Sequence, residues 1–259
     1  MSRRAEVQVY RATSGSLPGT EDLLDAVERD RLAVLRRPED RVRYLTAHVL
    51  MRRVLAAHTG IPAREQRFER RCGFCGAEHG KPRLLPAGSR QAQDLPHINV
   101  SHAGEQVLLA VSTQPVGVDV EQYSATAFAG FPAAALTSDE AAELSEFAPS
   151  DRLAAKAAWW TRKEAALKAT GHGLRVEATS LRVTPPDQPP HLVEWHDPDV
   201  TRPHLVMADV PVPGSYAGAV AVCDSDQLHF TLYTATARSR ADDLQFTLLG
   251  TGDAEHRTD

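Results

Sequence analysis

The sequence predicts an α+β fold, in which helices and strands do not follow a regular βαβ order. Apolar residues recur at helical spacing in two long segments, near residues 39–58 and 151–170. Short segments with alternating apolar and polar residues occur between residues 98 and 121 and throughout the last third of the chain. Since most of these strands are not separated by helices, antiparallel pairing is expected to predominate.

The first half of the chain is predicted to contain a strand, two helices and a pair of strands. The second helix is supported by Pro38 at a natural entry position and by Gly60 just past its end. Residues 60–96 are rich in Arg, Gly and Pro and predict loops. The expected elements are the strand Glu6–Arg11, a helix from Glu21, the helix Glu39–His58, and the strands Ile98–Ser101 and Gln106–Ser112.

The second half is predicted to contain a strand, two helices and then further strands. Gly171 and Gly173 provide a stop for the second of these helices. Residues 239–259 are polar and predict a mobile tail, apart from the apolar patch Leu244–Leu249. The expected elements are the strand Val116–Glu121, the helices Ser138–Glu146 and Asp151–Thr170, and the strands Ser180–Val183, His204–Val210, Tyr216–Cys223 and Leu228–Thr234.

The composition indicates a globular protein. The chain has 259 residues, of which 42% are hydrophobic, so it can bury a substantial core. Its formal net charge of −5 provides no general attraction for nucleic acid or for anionic membranes. Because there is no long apolar run and no apolar signal segment at the N-terminus, a soluble cytoplasmic protein is expected.

The segment Val116–Glu121 places two carboxylates on one side of a strand. Side chains alternate along a strand, so the valines lie on one face and Gly117, Asp119 and Glu121 on the other. Two carboxylates at this spacing can reach one hard cation. The alternative interpretation is a strand with a solvated acidic face.

The segment Trp159–Lys168 places an aromatic ring, a carboxylate and an ammonium group on one helix face. Trp160, Glu164 and Lys168 follow each other in steps of four residues, which is about one helical turn. Taken alone, this pattern favours an exposed ion pair beside a packed tryptophan, so it does not identify a site by itself.

Together, three segments resemble the phosphopantetheinyl transferase family, and in particular its larger, surfactin-synthetase-activator type. They are Asn99–His102, Gly117–Glu121 and Trp160–Gly171, in this order and spacing. The tripeptide Gly80-Lys81-Pro82 and the basic helix around residues 38–43 add to the resemblance, which extends from residue 8 to residue 235.

The resemblance implies a pseudo-dimer of two similar α+β halves, with the active site in the cleft between them. Residues 1–114 would bind coenzyme A, residues 115–238 would bind metal and a carrier protein, and residues 239–259 would form the polar tail. The implied activity depends on Mg²⁺ and moves the phosphopantetheine arm of coenzyme A to a serine of an acyl or peptidyl carrier protein. Adenosine 3',5'-bisphosphate is released, and the enzyme is expected to be a monomer.

The resemblance also implies roles for individual residues. Asp119, Glu121 and Glu164 would hold Mg²⁺ against the pyrophosphate of coenzyme A, and Glu164 could also accept a proton from the serine. Lys168 would stabilise or protonate the leaving phosphate. The residues expected to contact coenzyme A are Arg31, Arg37, Arg43, Lys81, Pro82, Ser101 and His102.

Two other classes of protein remain as alternatives. One is a Mg²⁺-dependent hydrolase of nucleotides or coenzyme A, since acidic residues and a lysine do not by themselves select the acceptor. The other is a nucleotide-binding protein without catalytic activity. The intact set of Asp119, Glu121, Glu164 and Lys168 argues against this second alternative.

Residues 28–53 contain eight arginines but only four carboxylates, which makes a local basic segment on an acidic chain. The planar guanidinium group suits phosphate, which supports Arg31, Arg37 and Arg43 as ligands of coenzyme A. Most of the other arginines are expected on a solvated helix face. Because members of the family often carry lysine where this chain has Glu28, not all phosphate contacts can be transferred.

Cys72, Cys75 and His79 provide three potential zinc ligands, whereas a structural zinc site needs four. The remaining cysteine, Cys223, is distant in the sequence. A zinc site and a redox pair are therefore kept as alternatives to a loop that shapes the approach to Lys81.

Carrier recognition is expected in the segment Gln122–Glu146, directly after the acidic strand. Phe128, Phe131, Pro132 and Leu136 are apolar positions in this loop-like stretch, and an exposed apolar patch would suit a partner helix. The alternative is that the phenylalanines fill the core.

Overall fold

The computed structural model describes residues 3–17, 21–72, 75–78, 80–88, 91–237 and 244–256. The helices in these ranges are α1 Ala26–Val34, α2 Pro38–Thr59, α3 Phe131–Ala135, α4 Ser138–Leu144 and α5 Arg152–Thr170. The strands are β1 Arg4–Thr13, β2 Phe68–Glu69, β3 Arg83–Leu84, β4 His97–Ala103, β5 Gln106–Ser112, β6 Val116–Gln122, β7 Leu181–Val183, β8 Leu192–Trp195, β9 Leu205–Asp209, β10 Tyr216–Cys223, β11 Gln227–Ala237 and β12 Leu244–Glu255. None of the helices described is long and apolar enough to cross a lipid bilayer.

Two main sheets lie against each other. The first has five strands in the order β12-β11-β1-β5-β4, and the second has three in the order β6-β10-β9. The α+β class is confirmed, and all pairings but one are antiparallel, as expected. The exception is β1, which pairs in parallel with β11 and so joins the two ends of the described chain.

Apolar side chains of the described residues pack in three clusters between these layers. Leu50 and Val54 of α2 pack on one face of the five-stranded sheet. The other face of that sheet meets the three-stranded sheet, where Leu108 and Val118 lie in one cluster. α5 covers the far face of the three-stranded sheet and buries Trp159 completely. The order of the layers is therefore α2, five-stranded sheet, three-stranded sheet, α5.

The two long helices lie where the sequence predicts them. α2 has Pro38 at its first position and ends at Gly60, whose φ of 70° is the left-handed conformation that favours glycine. α5 likewise ends at Gly171. The helix predicted from Glu21 begins instead as a short 3-10 turn. α1 starts only at Ala26, behind a capping box formed by Asp25 and Glu28.

The prediction of a polar, mobile tail is wrong for residues 250–255, which continue the excepted apolar patch Leu244–Leu249 in one segment, 244–255. These residues form β12, which pairs with β11 along its whole length at the edge of the five-stranded sheet. An edge strand with one wet face exposes most of its side chains, so its polar composition resembles that of a tail. Residues 238–243 and 257–259 lie outside the described ranges. β8 was also missed because Leu192–Trp195 is too short to show alternation.

Candidate active site

Asp119 and Lys168 form the centre of the candidate site. Asp119 stands in the middle of β6 and is 4% exposed, and Lys168 lies in the last turn of α5. The Lys168 Nζ atom is 2.5 Å from Asp119 Oδ1, and the Ser101 hydroxyl donates a hydrogen bond of 2.6 Å to the same oxygen. Lys168 Nζ is also 3.3 Å from Ser101 Oγ. Three elements, β4, β6 and α5, therefore meet at one carboxylate.

Glu164 lies one helical turn before Lys168, as the sequence predicts. Its Oε2 atom is 3.9 Å from Lys168 Nζ, which is much longer than the distance from that ammonium to Asp119. The principal partner of Lys168 is therefore on β6. The simple surface pair within one helix does not describe the contact, because both Asp119 and Glu164 are largely buried.

Asp119, Glu121 and Glu164, with Lys168 beside them, form a carboxylate cluster in which the negative charges repel each other. Burial raises the pKa of the Glu164 carboxyl, and the negative charges of Asp119 and Glu121 add to this effect while Lys168 opposes it. Burial and the charge of Asp119 also raise the pKa of Glu121, although a hydrogen bond from the Gln122 amide opposes the shift. The site therefore holds more negative charge than its single lysine can offset.

The donor set suits Mg²⁺ better than a softer metal, because it consists of carboxylate and hydroxyl oxygens. Excess negative charge on Glu121 and Glu164 is the electrostatic condition that a bound cation would relieve. Among the described residues, however, no three His, Cys, Asp or Glu side chains are grouped so that they could hold a metal ion. The assignment of Asp119, Glu121 and Glu164 to Mg²⁺ stays a prediction that fits the chemistry of the site.

Arg43 and His102 lie close enough to influence each other. Burial lowers the pKa of His102, and the positive charge of Arg43 lowers it further. Arg43 also makes an ion pair of 2.6 Å with Asp40, one turn earlier on α2. These two residues, with Ser101 on β4, border the carboxylate cluster from the side of the five-stranded sheet.

Arg31 and Arg37 lie on α1 and at the start of α2, and both are exposed. Within the described part of the chain, no hydrogen bond or ion pair joins either residue to the carboxylate cluster. Their predicted contacts with coenzyme A therefore stay untested.

Lys81 and Pro82 line a cavity of about 380 Å³ together with His97 and Gly171. The Lys81 ammonium lies deep beside this cavity and donates to two backbone carbonyls, Val116 O at 2.5 Å and Lys168 O at 3.3 Å. Burial lowers the pKa of Lys81 to about 8. This lysine is therefore held by the protein itself, whatever contact it makes with a ligand.

Glu28 has a structural role in the basic segment. Its side chain is 1% exposed and makes ion pairs of 2.6 Å with both Arg52 and Arg70. Asp25 pairs with the same two arginines. The expectation of a solvated arginine face is thus wrong for Arg52, and Arg53 is also buried. Paired arginines in contact with carboxylates resemble surface arginines in sequence, so the pattern alone could not separate them.

Asn99 was not given a role by the sequence analysis, although it begins the segment Asn99–His102. It is buried, and its Oδ1 atom accepts a hydrogen bond of 2.8 Å from the Val118 amide on β6. The available signal was a polar residue on the side of β4 that also carries Ser101.

The apolar positions predicted to recognise a carrier separate into two groups. Phe131 and Leu136 are buried in the cluster beneath α5, so the alternative interpretation is right for them. Phe128 is 55% exposed and touches Phe131 edge to face. A cavity of about 350 Å³ close by is lined by Trp160, Glu164 and Val176, among others. Of the two phenylalanines, Phe128 is therefore the one that presents its ring to solvent.

The Gly76 amide donates a hydrogen bond of 3.0 Å to Cys72 O, while the two residues between Cys72 and Cys75 lie outside the described ranges. His79 lies outside the described residues, so the zinc alternative is not tested. Cys223 is buried on β10, and burial raises its pKa to about 11. Cys223 is therefore not a reactive thiolate at neutral pH.

Two family models match adjacent parts of the chain. The model described as 4'-phosphopantetheinyl transferase, N-terminal, matches residues 11–114. The model described as 4'-phosphopantetheinyl transferase superfamily matches residues 115–221, which include β6 and α5. All the residues of the carboxylate cluster lie inside the second match.

Relatives show the same similarity at low identity. The protein slr0495 of Synechocystis sp. is 30% identical over 161 residues, which are 61% of this chain and 61% of the relative. The 4'-phosphopantetheinyl transferase ffp of Bacillus subtilis is 28% identical over 63% of this chain and 69% of its own length. The 4'-phosphopantetheinyl transferase Sfp of the same species is 35% identical over 32% of each chain. The chain thus spans less than two thirds of slr0495.

Proposed function

The chain belongs to the 4'-phosphopantetheinyl transferase superfamily, in the type that includes Sfp and ffp, and we propose that it carries out this transfer. The phosphopantetheine arm of coenzyme A would move to a serine of an acyl or peptidyl carrier protein. The observation that carries the proposal is the cluster in which Asp119, Glu164 and Lys168 meet inside the matched region. A carboxylate base and a cation beside one another suit phosphoryl transfer.

The proposed reaction is a displacement at the β-phosphorus of coenzyme A. The serine oxygen bonds to that phosphorus, the bond from phosphorus to the bridging oxygen breaks, and adenosine 3',5'-bisphosphate leaves. The serine proton passes to Glu164, whose raised pKa makes it a better proton acceptor than an exposed glutamate. Its other oxygen remains for a metal ion.

Lys168 is proposed to neutralise the charge that develops on the leaving phosphate. An ammonium has three N–H donors. Two are directed to Asp119 and Ser101, so one remains for a phosphate oxygen. Asp119, Glu121 and Glu164 are the residues proposed to hold Mg²⁺, which when bound would offset the negative charge of the pyrophosphate.

The nucleotide part of coenzyme A is proposed to lie along the basic side of the cluster. Arg31, Arg37, Arg43, Lys81, Pro82, Ser101 and His102 are the candidate contacts. The proximity of Arg43 to His102 supports this path, since a phosphate there would meet the Arg43 guanidinium and the imidazole of His102, which can donate a hydrogen bond. The proposed halves, residues 1–114 and 115–238, would face each other across it.

Cytoplasmic location and a monomeric state are part of the same proposal. The net charge of −5 supports a protein that binds neither nucleic acid nor anionic membranes. Phe128 supports docking of the carrier near the cluster, because it is the member of the predicted apolar group that is most exposed.

The function is tested by incubating the chain with coenzyme A, Mg²⁺ and a panel of carrier proteins and then measuring carrier mass. We expect the mass of at least one carrier to rise by that of the phosphopantetheine arm. The same carrier with its serine replaced by alanine is the control and should not gain mass. Release of nucleotide without a change in any carrier would favour the hydrolase, and binding without either would favour a non-catalytic protein.

A further inference from the structure

β6 carries the candidate metal ligands, and it lies at the edge of its sheet. Its neighbour on one side is β10, and no strand among the described residues pairs with it on the other side. Backbone groups on a free edge have no ladder partners, so such an edge is held less firmly than a central strand. The position of Asp119 relative to α5 depends on how this edge is fixed.

Two side chains satisfy the free edge in place of a strand. The Val118 amide donates to Asn99 Oδ1 at 2.8 Å, and the Val116 carbonyl accepts from Lys81 Nζ at 2.5 Å. Both partners come from the part of the chain before β6, on β4 and on the Gly80–Pro82 segment. They bond to backbone groups on either side of Gly117, just before Asp119.

Lys81 also bonds to α5. Its ammonium is 3.3 Å from Lys168 O, a carbonyl in the last turn of α5. Carbonyls in the last turn of a helix have no partner within the helix, and a cation there is favoured by the helix dipole. A single ammonium therefore joins the start of β6 to the end of α5.

We propose that Asn99 and Lys81 are positioning residues, which lock the edge of β6 so that Asp119 meets Lys168 in a productive geometry. The inference rests on the proposed transferase function. In this role Lys81 donates hydrogen bonds to backbone carbonyls, in addition to or in place of the phosphate contact implied by the family resemblance. Asn99 also bonds to the backbone of β6, but it carries no charge that could attract a phosphate.

The first test uses amide hydrogen exchange and does not depend on activity. In Asn99→Leu, which keeps the side-chain size but removes the acceptor, the Val118 amide should exchange about tenfold faster or more. Amides of the central strand β10 should keep their rates. Ser112→Ala, which removes a hydroxyl from β5 in the neighbouring sheet, is the matched control. An unchanged rate at Val118 would overturn the role of Asn99, and this result stands even if the chain transfers nothing.

The second test separates positioning from direct phosphate binding by Lys81. In Lys81→Met, the Kd for coenzyme A without divalent metal and the turnover at saturating coenzyme A are measured separately, because a lost phosphate contact alone affects only the Kd. The turnover should fall at least about tenfold, because the carboxylate and the helix are no longer held together. Lys81→Arg, which keeps a donor for the carbonyls, should recover part of the turnover. Arg83→Met removes a cation from the rim of the same cavity and should behave as the parent.

A loss of coenzyme A affinity in Lys81→Met with unchanged turnover at saturation would show a phosphate ligand and overturn the positioning role. If the methionine variant does not fold, the arginine variant and the Asn99 exchange measurement still decide. Absence of turnover in the parent with all carriers would refute the proposed function. The exchange rate at Val118 and the affinity measurement would remain informative in that case.

Discussion

At the scale of single residues, the site depends on how the negative charge of the buried Asp119 is neutralised. Asp119 receives an ammonium and a hydroxyl at hydrogen-bond distance, so its charge is matched in the protein alone. Glu121 and Glu164 have no such complete match, and their pKa values are raised by burial and by neighbouring charge. The unbalanced charge lies on the side of the cluster where a pyrophosphate and its metal would bind.

Glu164 and Lys168 should show different kinds of defect. Glu164→Gln keeps the shape but removes the proton acceptor, so turnover should fall by at least about 10²-fold and its dependence on Mg²⁺ should weaken. Lys168→Ala should lower turnover but keep the Mg²⁺ requirement, because its charge serves the leaving phosphate. Turnover measured against Mg²⁺ concentration distinguishes the two. Parent-like curves for both variants would mean that the residues are only structural.

Asp119→Asn tests the electrostatic coupling directly. The asparagine keeps the hydrogen bond to Ser101 but removes one negative charge, so the pKa of both Glu121 and Glu164 should fall toward the ordinary value. Metal-dependent turnover should be lost while the fold is retained. The carboxyl titration is measured by ¹³C NMR, and thermal unfolding provides the check on the fold. A glutamate pKa that does not move would show that Asp119 is not close enough to belong to the cluster.

Contacts between side chains could be predicted only where both residues lie on the same regular element. Spacing on a helix predicted that Glu164 and Lys168 share a face, and they do. The stronger pairing of Lys168 with Asp119 crosses between elements and is not visible in any local pattern. The same limit applies to Glu28, whose burial depends on Arg70, more than forty positions along the chain.

At the scale of elements, β6 and α5 approach each other without an intervening side chain. A Cβ atom on Gly117 would collide with the backbone of Ala165 and Ala169 on α5. The glycine thus brings the strand with Asp119 close enough for Lys168 to reach it. This close approach is the physical reason for a glycine two residues before the first carboxylate.

Gly117→Ala should therefore harm both stability and activity. Forcing a methyl group between β6 and α5 should cost about 1–3 kcal/mol of unfolding free energy, because backbone atoms must shift. Turnover should fall more than the loss of folded protein alone would cause, since Asp119 moves away from Lys168. Urea unfolding and turnover of the same preparation are compared. Gly250→Ala is the control, because a Cβ atom there meets nothing within 4 Å.

Substitutions at Phe128 and Phe131 distinguish a residue of a docking surface from a residue of the core. Phe128→Glu should raise the carrier KM and leave the Kd for coenzyme A unchanged, because the ring is exposed near the cluster. Phe131→Glu should destabilise the protein by several kcal/mol, roughly 3 or more, since it would bury a charge. Carrier kinetics and thermal unfolding are measured for both. Unchanged carrier kinetics in Phe128→Glu would refute docking at this surface.

Elements with strong periodicity and clear end signals could be predicted from the sequence, and weaker ones could not. α2 and α5 lie within a residue or two of the prediction because their ends carry Pro38, Gly60 and Gly171. β6 lies within one residue of the prediction because its side chains alternate along the strand. β12 was missed because an exposed edge strand lacks a buried apolar face. The parallel pairing of β1 with β11 is a contact between distant segments, which local patterns do not encode.

At the scale of the whole molecule, the two family-model matches do not correspond to two separate sheets. β11 and β12 follow the second match, but they pair in the sheet that contains β5 and β4 from the first match and β1, most of which precedes that match. The two main sheets also share one apolar cluster, with Val9 on one side and Val118 on the other. The halves are therefore expected to depend on each other for folding.

Residues 1–114 alone should not fold to a native structure. This fragment lacks β11, the parallel partner of β1, and it exposes Val7, Val9 and Leu108, which are almost completely buried in the full chain. Losing the burial of one such side chain costs about 1.5–3 kcal/mol, which exceeds what a fragment of this size can absorb when several are exposed. We expect poor dispersion in its amide NMR spectrum and binding of hydrophobic dyes.

The control is the full chain cut within an exposed protease site inserted after Thr113, at the predicted boundary between the halves. The two pieces of the cut protein should stay associated and unfold in one transition, because their contacts lie in the shared core and in the pairing of β1 with β11. A fragment 1–114 with a dispersed spectrum and a cooperative unfolding transition of its own would show independent halves. In that case β1 would be stable in the sheet without its partner β11, and the shared cluster would not be needed for folding.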